Sequence, residues 1–225
     1  MQAIKLLLGA ILLIGLCLAA NPSGASVVTS LPGGTVYPMP AVNYAGPGPQ
    51  TFGPGIVWSS TNANHHLMTG SVFGYTVGYG FGGSTGNGKW DAAIGPMAGL
   101  DDSYAEDGVT DTMTFALPSP VMGVGGFMNY TPGGTTPTTI AVYDSMDTLI
   151  ESYNLTFLTG GGTDSGQFLY FLESSPIIKY FTLTDNFIGI TDFTTDPSLV
   201  PLPGAVWLLG SGLAGLLGLR RFRKG

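Results

Sequence analysis

Residues 71–81, SVFGYTVGYGF, decide the fold. Phe73, Tyr75, Val77, Tyr79 and Phe81 alternate with Gly74, Thr76, Gly78 and Gly80. Successive side chains of a strand point to opposite faces, so the run predicts one face of large groups and one almost bare. The bare face would let another sheet or a ligand approach the backbone closely. The ring face has two readings. Burial in a sandwich core needs only the alternation itself and is preferred; an aromatic stripe turned toward a sugar is the other.

The same alternation recurs downstream. Val109, Asp111, Met113, Phe115 and Leu117 alternate with Thr110, Thr112, Thr114 and Ala116, and Pro118 ends that strand. Residues 121–130, VMGVGGFMNY, predict a strand bulged at Gly125-Gly126. Residues 140–143 and 148–158 predict a hairpin around Asp144-Ser145-Met146-Asp147, with Leu149, Tyr153, Leu155 and Phe157 largely on one side. Three more strands are expected at 167–172, 176–184 and 186–193, and loops at 82–107 and 160–166. No window of the body keeps a 3.6-residue apolar period. The fold class is therefore all-β, an antiparallel, jelly-roll-like β-sandwich over residues 56–196. Ahead of it, residues 26–55 are rich in Pro and Gly, which predicts an extended arm or edge strands.

Charge is scarce and unevenly placed. Only 9% of the 225 residues are charged, and the net charge is −7. All fourteen acids lie within 26–196, where Lys89 and Lys179 are the only cations, which leaves that body at −12. Neutralising phosphates needs clustered Lys and Arg, so nucleic acid is excluded as a partner. The single cysteine, Cys17, lies in the leader, so the body has no disulfide and no thiolate chemistry. Roughly 175 residues can bury enough apolar surface without one.

The two ends carry address signals. Residues 1–25 combine Lys5, an apolar run at 6–18 and small residues at Ser23-Gly24-Ala25, which predicts a signal peptide helix cleaved by signal peptidase after Ala25. Residues 197–225 hold a proline-punctuated entry, an uncharged apolar run at 204–219 and a basic cluster at 220–224. As a helix, Ala205 to Leu219 covers roughly 22 Å against a hydrocarbon core of roughly 30 Å, a short transmembrane segment. The cations would hold its far end in the cytoplasm and leave the body outside.

Those residues resemble the PEP-CTERM family of bacterial sorting signals, in the variant that opens with VPLP. The resemblance rests on Val200-Pro201-Leu202-Pro203, on the apolar span with Trp207 near its start, and on Arg220, Arg221, Arg223 and Lys224. Leu202 stands where the commonest pattern has Glu. The resemblance implies a protein of a Gram-negative, exopolysaccharide-making bacterium, held briefly in the inner membrane and then processed by an exosortase. Its destination would be the cell surface or the extracellular matrix. The body is similar, more loosely, to β-sandwiches that carry this tail, through VGGF at 124–127, IAVYDSMDTLIES at 140–152 and ITDF at 190–193.

Candidate chemistry in the body is thin. His65 and His66 are adjacent, so in a strand they face opposite ways and cannot easily share a metal; they are expected as polar loop residues. No G-x-S-x-G elbow is present, and no carboxylate pair is singled out for glycoside hydrolysis, so a non-enzyme is expected over a secreted hydrolase. Asp101, Asp102, Glu106, Asp107 and Asp111 form the densest charge and could chelate Ca²⁺, although a solvated acidic loop is the preferred reading. No other cofactor is expected. Trp90, between Lys89 and Asp91 in a glycine-rich loop, and Trp58 are the candidate glycan contacts, with Tyr75, Tyr79 and Tyr104 nearby. Two functions follow: a structural or interaction protein of the surface matrix, or a non-catalytic carbohydrate-binding module.

Overall fold

A computed structural model describes residues 26–196 except 64, 67–68, 84–85, 102–109, 135 and 186. The helices expected in the leader and the tail lie outside those residues. In chain order the strands are β1 (Ser26–Val28), β2 (Thr35–Val36), β3 (Tyr44–Ala45), β4 (Gln50–Phe52), β5 (Ile56–Ser60) and β6 (His65–His66). There follow β7 (Thr69–Tyr75), β8 (Tyr79–Gly83), β9 (Gly88–Trp90), β10 (Met97–Asp101), β11 (Thr112–Val121) and β12 (Gly123–Tyr130). The last five are β13 (Thr139–Tyr143), β14 (Leu149–Asn154), β15 (Gln167–Leu172), β16 (Ile178–Thr184) and β17 (Phe187–Asp196). A single 3-10 turn, Ala92–Ile94, is the only helical element among the described residues.

The strands form two large antiparallel sheets. The first runs β1-β15-β12-β17-β10-β7-β3, with β2 added beside β17 and β6 beside β7. The second runs β14-β13-β16-β11-β5-β4, and β8 and β9 make a separate hairpin. The alternation read in the sequence drives their packing. In β11, Met113, Phe115 and Leu117 are buried while Thr112, Thr114 and Ala116 are only partly so. Phe115 of the second sheet meets Phe193 of the first at 4.6 Å between ring centroids, and Phe181 at 6.2 Å. Such rings are worth about 1.5–3 kcal/mol each on full burial, so they hold the sheets face to face.

The arm is not a separate unit. Its strands β1, β3 and β4 finish sheet edges, and β4 pairs with β5 across the expected boundary at residue 55. Short, proline-flanked strands suit edges because a proline offers no donor to a neighbouring chain.

Two expectations need correction. Residues 71–81 are not one strand with all its rings on one face. Tyr75 pairs with Met97 but Phe73 pairs with Ala98, so the register slips at Gly74. Gly74 adopts φ +63°, and a Cβ there would lie 2.0 Å from the Pro40 carbonyl oxygen, which only glycine avoids. The slip sends Phe73 into the core between the sheets and Tyr75, Tyr79 and Phe81 into a second cluster outside it. The expected loop at 82–107 also contains β9 and β10, and β10 lies between β17 and β7.

The bulge expected at Gly125-Gly126 is present, with its extra residue in the neighbouring strand. Gly125 pairs with Thr194 and Phe127 with Thr191, and Asp192 takes φ 48°. A Cβ on Gly125 would lie 2.0 Å from the Leu169 carbonyl oxygen, so the glycine permits the close strand approach there.

Candidate functional site

The outer face of the first sheet carries the most unusual side chains. Gly99 and Gly189 leave it bare, and the β8–β9 hairpin lies down on that bareness. A Cβ on Gly189 would sit 2.9 Å from both Phe81 Cζ and Trp90 Cζ3; one on Gly99 would sit 3.0 Å from the Tyr79 ring. Trp90 meets Phe81 edge-on at 5.0 Å and stacks on Phe127 at 5.8 Å. Its indole N–H donates to the Ser165 carbonyl at 2.8 Å.

Polar groups lock the hairpin to the segment that follows β14. Asn87 is fully buried. Its Nδ2 donates to the Phe157 carbonyl at 3.3 Å, and its Oδ1 accepts from the Thr159 amide at 2.9 Å. Its own carbonyl accepts from Asn129 Nδ2 at 2.9 Å and Thr159 Oγ1 at 2.7 Å. The Asp91 amide donates to Asp164 Oδ1 at 2.7 Å.

This geometry overturns the glycan role of both tryptophans. Trp90 and Trp58 are 0% exposed, so neither offers a ring face to a sugar. Trp90 is covered because Gly189 beneath it lets the indole sink onto the sheet. Trp58 lies in the core between the sheets, 5.3 Å from Phe73 and 6.3 Å from Tyr44. Its N–H has no acceptor among the described residues. Tyr75 and Tyr79 are buried as well. The Tyr79 hydroxyl donates to the Leu100 carbonyl, and burial, followed by Asp101, Asp185 and Tyr75, pushes its pKa well above the usual phenol value.

The aromatic row continues into solvent. Phe168, 41% exposed, lies 4.9 Å from Phe127 and stacks nearly parallel on Tyr170 at 6.2 Å. Alternation in QFLYFL could have revealed it, since Leu169 and Phe171 point inward. No comparable signal in the sequence marks Asn87 as a hub.

The acidic candidates divide. Asp102, Glu106 and Asp107, with Tyr104, lie outside the described residues. Asp101 ends β10, and Asp111 accepts from Thr61 Oγ1 at 2.8 Å. The structure adds buried Asp185, whose Oδ2 accepts from Thr138 Oγ1. Among the described residues no three His, Cys, Asp or Glu gather where they could hold a metal. His65 and His66 form the short strand β6 rather than a loop.

One pair of carboxyl groups is electrostatically linked. Burial, and then the charge of Glu173, raises the Glu151 carboxyl above its ordinary value. Glu173 is buried, and Glu151 Oε2 finds no hydrogen-bond donor among the described residues. A raised carboxyl beside a second one is what a general acid requires. However, neither lines the apolar cleft formed by Tyr37, Pro54, Leu117 and Val121. Among the described residues no helix is long and apolar enough to cross a membrane. Compared with known proteins, the chain matches no protein-family model, no curated protein and no solved structure.

Proposed function

We propose that this is a non-catalytic structural or interaction protein of the bacterial cell surface or exopolysaccharide matrix. A signal peptide exports it, and a VPLP-type tail holds it in the inner membrane until an exosortase-like enzyme processes it. One observation carries the reading: the order Val200-Pro201-Leu202-Pro203, uncharged apolar run and basic cluster, a few residues beyond the last strand. Its support is chemical. A short, glycine-rich span makes a poor permanent anchor and a good substrate, while the acidic, cysteine-free body needs no redox partner outside the cell. Strands β11, β12 and β13 pass from one sheet to the other and back, which favours jelly-roll-like wiring.

The test is mass spectrometry of the full chain expressed with and without an exosortase in an exopolysaccharide-making host. Loss of the tail only where the enzyme is present is expected. Retention in both hosts overturns the reading, and Ala at 200–203 should restore retention.

A second reading, a carbohydrate-binding module, is favoured by exposed Phe168 stacked on Tyr170. Retention on the producer's own exopolysaccharide, with and without Ca²⁺, tests it. No retention in either condition removes it.

A further inference from the structure

A cleft of ≈ 240 Å³ opens between the arm, the β4–β5 turn and the distal part of β11. Tyr37, Pro54, Leu117, Pro118 and Val121 line it, and Thr195 of β17 contributes one polar edge. None of its lining residues carries a charge. Ligand pockets for small molecules run from about 300 to 1,000 Å³, so this groove is small for a free cofactor.

We propose that its occupant is the seven-residue segment that follows β17, Pro197-Ser198-Leu199-Val200-Pro201-Leu202-Pro203. Three arguments converge. Thr195 lines the cleft and Asp196 ends β17, so the segment begins one residue away. A tether that short supplies an effective concentration in the mM range, which fills a groove too small to hold a free cofactor. The chemistry also matches. The segment is uncharged, its three prolines favour the extended polyproline conformation, and such segments dock in apolar grooves lined by aromatic residues, as Tyr37 lines this one. At about 3.1 Å per residue it reaches about 22 Å, enough to cross the groove.

The consequence rests on the sorting reading. A docked entry places Val200 to Pro203 against the body, so the folded sandwich governs when the processing enzyme reaches them.

The absence of cysteine from the body makes the test clean. In full-length chain carrying Cys17→Ser, Ser119→Cys in the cleft is paired with Leu199→Cys. The control pairs Leu199→Cys with Ser145→Cys, in the β13–β14 turn at the opposite edge of the second sheet. A disulfide needs Cα atoms within about 7 Å, so its rate under mild oxidation reports docking. The cleft pair should close at least about tenfold faster than the control, and Pro54→Asp, at an exposed wall of the cleft, should erase that advantage. Equal rates for the two pairs, with an unchanged far-ultraviolet spectrum, overturn the proposal. No processing enzyme takes part, so equal rates would leave the sorting reading standing, and an uncut tail in the exosortase host would leave the docking standing.

Discussion

Trp58 and Trp90 are equally buried, yet two different constructions bury them. Trp58 sits between the two large sheets, surrounded by rings that alternate along their strands. Trp90 sits outside them, on a hairpin pressed against a glycine-bared sheet face and tied down by hydrogen bonds from a distant loop. The first indole has packing and, among the described residues, no acceptor for its N–H; the second has both packing and an acceptor. The difference teaches that burial by alternation is non-directional and tolerates an orphan donor. Burial by seating a hairpin needs space and polar fastenings together.

Breaking the core should have the largest effect. Trp58→Ala is expected to cost about 3–5 kcal/mol, read as a lower denaturation midpoint with all probes unfolding together. Filling the hairpin's seat comes next. Gly189→Val would drive a side chain into Phe81 and Trp90, at an expected cost of about 1–3 kcal/mol. Its diagnostic sign is a red shift of Trp90 emission while the sheet signal in the far ultraviolet persists. Cutting the fastenings should do less. Asn87→Ala leaves the Thr159 amide and the Phe157 carbonyl without their Asn87 side-chain partner, for about 1–2 kcal/mol.

The smallest effect lies away from both tryptophans and depends on pH. The Glu151 carboxyl is raised by burial and by Glu173. Its stabilising contribution is therefore complete below its unfolded value and is lost as pH rises through its folded value. Glu151→Gln should stabilise the chain at neutral pH by less than about 1 kcal/mol and flatten the loss of stability across that range. An unchanged pH profile would show that the pair is solvated.

The core was legible because period two survives in β11 from Thr112 to Leu117, where each buried side chain follows from its neighbour's exposure. The hairpin was not legible, for three physical reasons. Gly74 takes a left-handed backbone and reverses which face Tyr75 occupies, so one apparent stripe becomes parts of two clusters. The seat consists of missing side chains at Gly99 and Gly189, far apart in sequence, and local pattern cannot pair them. Asn87 and Ser165 act through partners about seventy residues away. Candidate sites failed on the same point. Trp90 reads as exposed because its flanks are polar and glycine-rich, whereas glycine there serves close approach.

The central claim is that both tryptophans of the body are structural. It is tested most directly by acrylamide quenching of two single-tryptophan chains on a Trp207→Phe background, one keeping Trp90 and the other Trp58. Blue-shifted emission and weak quenching of both, unchanged by added exopolysaccharide, are the predicted result. Red-shifted, freely quenched emission from Trp90, or its protection by polysaccharide, would contradict the account and return that indole to a binding face.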